Sequence, residues 1–541
     1  MTSLRSPMQG LAAHVLLALV LLGAWTAPAA RGQTFPVVLD VPVKLTSATS
    51  ATGDQYSGAI AAGSDIIVIG APLDSTTRGE VTVQEFDGNS FSETATLAPP
   101  GLPVGAQFGL ALALDEDTLA VGAPDVTFPP NGSGHVYIYL RSGSSWTLEA
   151  KLSPSTGQSG DQFGRSLALQ GDRLVVGAPF DDDNGLQSGS AWVFERSGTT
   201  WSESAQILPS DPTTGSQFGK SVALDGSSLL VGAWLDSAVA FQAGAGYVFV
   251  ENGGSWSEQA KLIAGAAAAG DGAGSCVGLE GDVAVLGAPL ANNAAGTIFR
   301  FDRDMSGVWA EASFFTPFSI TSGDAFATSL ALRDGTLLVG APFEDSTGSP
   351  KGAVLYYVAD EQGVFAVDTE FDSPGPVGDG YGDAVAIGDG FLGIGAPVAN
   401  GGAADSGAAF AIEKILIGIW TDKGKSLDGS KGAVQLVGTG TLVEGEPFSL
   451  DLSNGLENSL SALIIGFSEI CVPFHLGILS PSPDFVLIVN TDGNGAQQLA
   501  DNWPTGHGGP FPVYLHWWVQ DPGALAGWSA SNALEALTPP G

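Results

Sequence analysis

The residues best suited to chemistry are acids. Asp181-Asp182-Asp183-Asn184, followed by Gly185, is the densest run of hard oxygen donors, with sparser counterparts at Asp74, Asp125, Asp236, Glu344-Asp345 and Asp405. Three carboxylates and an amide suit a hard cation such as calcium, but the spacing matches no loop of known coordination geometry. The reading set against it, and preferred, is a solvated turn in an acidic protein.

Groups able to act as bases, nucleophiles or metal ligands are sparse. Beyond the N-terminal stretch the histidines are His135, His475, His507 and His516, and none stands at metal-ligand spacing from an acid or a cysteine. There is no Gly-x-Ser-x-Gly elbow and no phosphate loop. No residue is assigned a catalytic role and no cofactor is expected, so an enzyme would have to assemble its site from distant segments. The aromatic candidates are Trp517 and Trp518 in VYLHWWVQ. Neighbours in a strand face opposite sides, so if one ring is in the core the other is exposed. An exposed ring beside His516 and Asn502-Trp503 suits stacking on a sugar, and packing inside the domain is the competing role. Trp146, Trp201, Trp256 and Trp309 recur at the starts of strands, which makes packing their expected role.

The elements that would position these groups are read from one recurring stretch, clearest at 160–179, GDQFGRSLALQGDRLVVGAP. Two short apolar runs joined by Gly171-Asp172 and stopped by Gly-Ala-Pro predict a β-hairpin, because such turns need residues that tolerate positive φ. The glycine of the Gly-Ala-Pro element recurs at 70, 122, 177, 232, 287, 340 and 395. Each unit carries four strand candidates; the third unit has FGRSLAL, DRLVVGAP, GSAWVFER and WSESAQIL. A regular period of four-stranded units predicts an all-β, seven-bladed β-propeller over 33–413. The seventh unit stops after its third strand, near Ala411-Ile412, and residues 41–56 match a fourth strand and its linker. The N-terminal strand is therefore expected to complete the last blade and leave no open sheet edge. Glycines after an aromatic, as at Gly109, Gly164, Gly219 and Gly382, are expected to allow close backbone approach near the axis, with Phe108, Phe163, Phe218, Phe326 and Tyr381 wedged between blades.

The paired Phe-Gly and Gly-Ala-Pro elements resemble the FG-GAP repeat of integrin α-subunit propellers, in the form found in secreted bacterial proteins. The resemblance covers roughly 41–413 and implies a propeller whose loops present a binding or adhesion surface. Departures occur at Tyr56-Ser57-Gly58, Gly272-Ala273-Gly274, Phe326-Ala327 and Gly232-Ala233-Trp234. Calcium-binding relatives carry Asp-x-Asp-x-Asp-Gly between the first two strands. Here that connection is a tight turn in every unit, such as Asp115-Glu116-Asp117, Asp225-Gly226 or Asp389-Gly390, too short to wrap an ion. The calcium role of the resemblance does not carry over to that loop.

The chain ends add location and a second domain. Arg5, an apolar run from Val15 to Trp25, and Ala30-Arg31-Gly32 read as a secretory signal over 1–32, giving a secreted or cell-surface protein. No later run is long enough for a membrane helix, so no membrane-spanning segment is expected in the mature chain. A net charge of −38 repels nucleic acid and anionic lipid. The binding role that the resemblance implies makes an extracellular protein or glycan the expected partner. Cys276 and Cys471 fall in different domains, so no disulfide framework is expected, and Cys276 reads as a buried free thiol. The Lys/Gly/Ser-rich passage within 414–431 reads as a linker. Short strand candidates over 432–541 suggest a small β-sandwich-like domain. The expected function is a non-catalytic binding or adhesion scaffold, with an extracellular hydrolase or lyase and a carbohydrate binder using Trp517 and Trp518 as alternatives.

Overall fold

The computed structural model describes residues 37–39, 41–47 and 53–537, the last with short breaks of which the longest are 425–433 and 503–511. The expected signal, 1–32, lies outside the described residues. Two compact units are present, one of Asp40–Lys414 and one containing Ile415–Gly541. Among the described residues no helix is long and apolar enough to cross a membrane.

The first unit is a series of antiparallel sheets, one per repeat, with the strands of each sheet in sequence order. The second sheet is typical: Ala111–Asp115, Thr118–Ala123, His135–Ser142 and Ser145–Leu152. Asp115 pairs with Thr118, so Glu116-Asp117 is a two-residue turn, and Glu116 has φ of 48°. The second strands carry an unbroken buried apolar run, such as Thr118–Ala123 or Thr336–Ala341, because both of their faces are covered by neighbouring sheets. Outermost strands alternate exposed and half-buried residues, as in Ser255–Leu262. Each of the first six sheets has a bulge between its third and fourth strands, for example between Leu148 and Ala150, which adds local twist.

The seventh sheet meets the first, as the arrangement of a β-propeller requires. Gly390 N–H donates to the Gly63 carbonyl at 3.2 Å, and Ser57 Oγ donates to the Ala408 carbonyl at 2.6 Å. The fourth place in the seventh sheet is filled from the other end of the chain. Val43–Leu45 pairs antiparallel with the third strand, Val43 opposite Ala411 and Leu45 opposite Ala409.

The core lies between sheets, and the aromatic of each Phe-Gly pair is its wedge. Phe108 is fully buried among Val68 and Val81 of the first sheet and Val121, Tyr137 and Tyr139 of the second. The glycines make the close backbone approach expected of them, between one sheet and the next. A Cβ on Gly177 would overlap the carbonyl oxygen of Gly219 in the next sheet, and a Cβ on Gly70 would overlap that of Gly109. The Gly-Ala-Pro glycine of one repeat and the Phe-Gly glycine of the next are thus two halves of one backbone contact. Where the second half is not glycine, Ser57 and Ala327 still adopt positive φ, 77° and 68°.

The second unit has a six-stranded sheet, a three-stranded sheet and a two-stranded sheet. The presumed linker is partly structured: Ile419–Gly424 is a strand paired with Ala533–Leu537, Ile419 opposite Leu537. Its Lys/Gly texture reads as coil, but its pairing partner lies more than a hundred residues away, beyond any local signal.

Candidate functional site

Antiparallel strand order gives the first unit two unlike faces. The innermost strands start on the face that also carries the connections from second to third strand and from each sheet to the next, here termed the loop face. They end at the tight turns on the opposite, turn face.

On the turn face many of the charged residues are bound to one another or to backbone. Asp115 Oδ2 accepts from Gly171 N–H at 2.6 Å, Gln170 Oε1 from Gly226 at 2.7 Å, Asp225 Oδ2 from Gly281 at 2.6 Å and Glu280 Oε2 from Gly335 at 3.0 Å. The last side chain of one innermost strand therefore caps the turn of the next sheet. Its signal in the sequence is Asp115, Gln170, Asp225 and Glu280 at a 55-residue period, legible only once the partner turn in the next repeat is known. Arg141 grips both oxygens of Asp65, at 2.8 and 2.7 Å, and reaches Glu85 at 3.1 Å; this pairing holds the Asp65 carboxyl below the usual range. A cavity of about 270 Å³ opens here, lined by Asp65, Asp115, Asp117, Arg141, Arg333 and Asp389. The strand-four tryptophans serve the same seams. Trp201 Nε1 donates to Glu149 of the preceding sheet at 3.0 Å, and Glu149 also takes Arg196 at 2.6 Å.

The acidic run at 181–183 is likewise occupied. Asp181 is buried and accepts from Ser190 Oγ at 2.6 Å and from Asp183 N–H at 2.7 Å. Asp182 accepts from Gln187 N–H, and Asp183 from Thr156 Oγ1 and Gln206 Nε2. Asp236 accepts from Lys261 Nζ at 2.9 Å and Tyr247 OH at 3.1 Å. Burial pushes the Asp181 carboxyl up, and burial together with the nearby acids raises Asp161 to about 6. Among the described residues no group of three or more His, Cys, Asp or Glu is placed to hold a metal. Glu344 is buried and Asp345 described, whereas Asp74, Asp125 and Asp405 lie outside the described residues.

Trp517 and Trp518 do not form a sugar platform. They are 0% and 1% exposed, and His516 beside them is also buried. Their strand, Pro512–Gln520, lies inside the six-stranded sheet with Leu460–Gly466 on one side and Ala533–Leu537 and Trp528–Ala530 on the other. Alternation does send the two rings to opposite faces, but both faces of this strand are covered. His516 Nε2 meets the Ser531 carbonyl at 2.8 Å, and desolvation lowers its pKa to about 4. Trp503, His475 and His507 lie outside the described residues. His135 Nδ1 lies 2.8 Å from Ser153 Oγ. Cys276 is a free thiol whose Sγ donates to the Ala327 carbonyl at 3.0 Å, and burial pushes it up to about 12.

The loop face carries what the repeat does not explain. Connections between second and third strands expose Leu186, Phe241, Leu290 and Phe343 in four successive sheets, Phe241 at 71% and Leu186 at 62%. Val104, Phe318 and Val377, in connections between sheets, are exposed on the same face. At the heads of the innermost strands, the residue after the Phe-Gly glycine changes from unit to unit: Leu110, Arg165, Lys220, Ser275, Thr328, Asp383. Neither set recurs from repeat to repeat, so the period that reveals the fold does not reveal them.

Four stretches, 91–139, 146–194, 201–249 and 256–301, match the sequence model of the FG-GAP repeat. Each begins in the fourth strand of one sheet and ends in the third strand of the next, so the matched unit spans an inter-sheet seam and not a single sheet. The chain carries FG-GAP repeats in tandem, and repeats of this kind point to a binding or scaffold fold. No curated protein matches the chain significantly.

Proposed function

We propose that the protein is an exported, non-catalytic binding scaffold that presents the loop face of its propeller to a protein ligand outside the cell. The observation that carries this reading is the set of exposed apolar side chains Leu186, Phe241, Leu290 and Phe343, one in the connection between second and third strands of each of four successive sheets. Large apolar groups gathered on one face mark an interaction surface, whereas single scattered ones need no explanation. The turn face supports the same division of labour, since its acids and arginines are bound up in holding neighbouring sheets together. Export is supported by the charged, apolar, small-residue order of the N-terminus and by the acidic composition.

The non-catalytic reading rests on chemistry. The described histidines, His135 and His516, are engaged with Ser153 and Ser531, and the acids of the densest run accept from protein donors. The test is capture of extracellular protein by the purified chain, repeated with the loop-face apolar side chains replaced by serine. A glycan ligand is the alternative outcome, read on a glycan array with the same variants.

A further inference from the structure

The bases of this chain are few, 19 Lys and Arg against 57 acids, so each has acids in excess to pair with. Arg141, Arg173, Arg196, Arg300, Arg303, Arg333 and Lys261 all make ion pairs with carboxylates. Arg165 and Lys220 do not: among the described residues neither the guanidinium nor the ammonium has a carboxylate or hydrogen-bond partner. They occupy the same position in neighbouring repeats, at the heads of the third and fourth innermost strands, and each feels the local environment as a partly buried cation. Burial lowers Arg165, and burial, then the charge of Arg165, lowers Lys220 to about 8.

A specific residue change accompanies the pair. The Gly-Ala-Pro element reads Gly232-Ala233-Trp234 in the fourth unit alone, and the ammonium of Lys220 sits 5.5 Å from the centre of the Trp234 ring. The indole is fixed in turn, its Nε1 donating to Gln217 Oε1 at 2.8 Å. The aromatic face takes up part of the cation's field without neutralising it, as a counter-ion would. Two unneutralised cations at matching positions of adjacent innermost strands, near enough that the charge of Arg165 is felt at Lys220, suit an oxyanion.

We propose that the heads of the third and fourth innermost strands form an oxyanion-binding site on the loop face, with Arg165 and Lys220 as its cationic arms and Trp234 positioning Lys220. The ligand class is a carboxylate or phosphate group, and the site deepens the binding role assigned to that face. The net charge of the chain repels anions at long range, so short-range contact with these two residues supplies the attraction.

The full chain is titrated by calorimetry with inorganic phosphate, and separately with acetate, in low-salt buffer at pH 7. Saturable binding of either is expected, weakened about tenfold or more in Arg165→Gln and in Lys220→Gln. Lys220→Arg retains binding, which separates loss of charge from loss of fold, and Lys151→Gln on an outer strand leaves it unchanged. The groups facing Lys220 are Arg165 from the third sheet, the Cys276 thiol from the fifth and Trp234 from its own. Arg165 keeps its proton and Cys276 stays a thiol near neutrality, so wild-type binding weakens as pH rises past about 8 while the Lys220→Arg variant holds. Absence of saturable binding for both anions, or equal binding in an Arg165→Gln, Lys220→Gln double variant, overturns the proposal. Protein capture through Leu186, Phe241 and Phe343 is read independently, so failure of the oxyanion site leaves the wider reading intact and the reverse also holds.

Discussion

Replacing Gly177 by alanine tests the inter-sheet seam. The new Cβ would overlap the Gly219 carbonyl oxygen and the Ser166 Oγ, and would stand 3.0 Å from the Gly219 carbonyl carbon. The obstacle is backbone of the neighbouring sheet, so no side-chain rotation relieves it. Overpacking of this kind costs about 1–3 kcal/mol. The Ser166 Oγ bond to the same carbonyl, 2.9 Å, is displaced as well, adding about 1 kcal/mol. A total of about 2–4 kcal/mol follows. The control is Gly171→Ala in the tight turn, where φ is +56° and nothing lies within 4 Å of the added carbon. Left-handed backbone costs alanine about 1–2 kcal/mol, partly offset by a less flexible unfolded chain, leaving about 1 kcal/mol. Urea unfolding followed by tryptophan fluorescence should show the larger drop in midpoint for Gly177→Ala. If Gly171→Ala lowers the midpoint as much or more, the seam does not set the spacing of the sheets.

Two further outcomes follow from buried groups. The folded-state pKa of Asp161, about 6, stands above the unfolded value, so the folded protein holds a proton that the unfolded chain releases; that contribution is complete below about pH 3.8 and is lost as pH rises to about 6. Asp161→Asn keeps an acceptor for Gln158 N–H, and should match wild type near pH 3, gain about 3 kcal/mol at pH 7 and flatten the profile between; an unchanged slope from pH 4 to 6 counts against this. Trp517→Ala removes a fully buried ring and should destabilise the C-terminal unit by about 3–5 kcal/mol in thermal unfolding, whereas a near-neutral effect would mean the ring is not core.

Repetition made the fold readable. Asp-Gly and Gly-Asp turns, apolar runs of matched length and a fixed period describe local hairpins, and the structure keeps each hairpin where the turn residues place it. The closing strand was readable because Val43–Leu45 repeats a pattern missing at the other end. What escaped depends on neighbours. The glycines were understood as close-approach residues, but the partner of Gly70 is Gly109 in the next repeat, a pairing no single unit displays. Ile419–Gly424 looked like linker because its strand partner, Ala533–Leu537, is remote. Trp517 and Trp518 were offered as a surface because alternation exposes one ring of a two-faced strand only when one face meets solvent, and here neither does. Arg165, Lys220 and the exposed loop residues were passed over for the opposite reason: they are what differs when the repeats are laid in register.

The most direct measurement compares capture by the two faces. The purified chain, a loop-face variant Leu186→Ser, Phe241→Ser, Phe343→Ser and a turn-face variant Met305→Ser, Val308→Ser are immobilised and exposed to extracellular protein from the source organism's surroundings. All five positions are exposed in the wild type, so the substitutions leave the core intact. A binding scaffold that uses its loop face retains a saturable protein ligand in the wild type and the turn-face variant, and loses it in the loop-face variant. Retention unchanged by the loop-face substitutions, or abolished by the turn-face pair alone, contradicts the account.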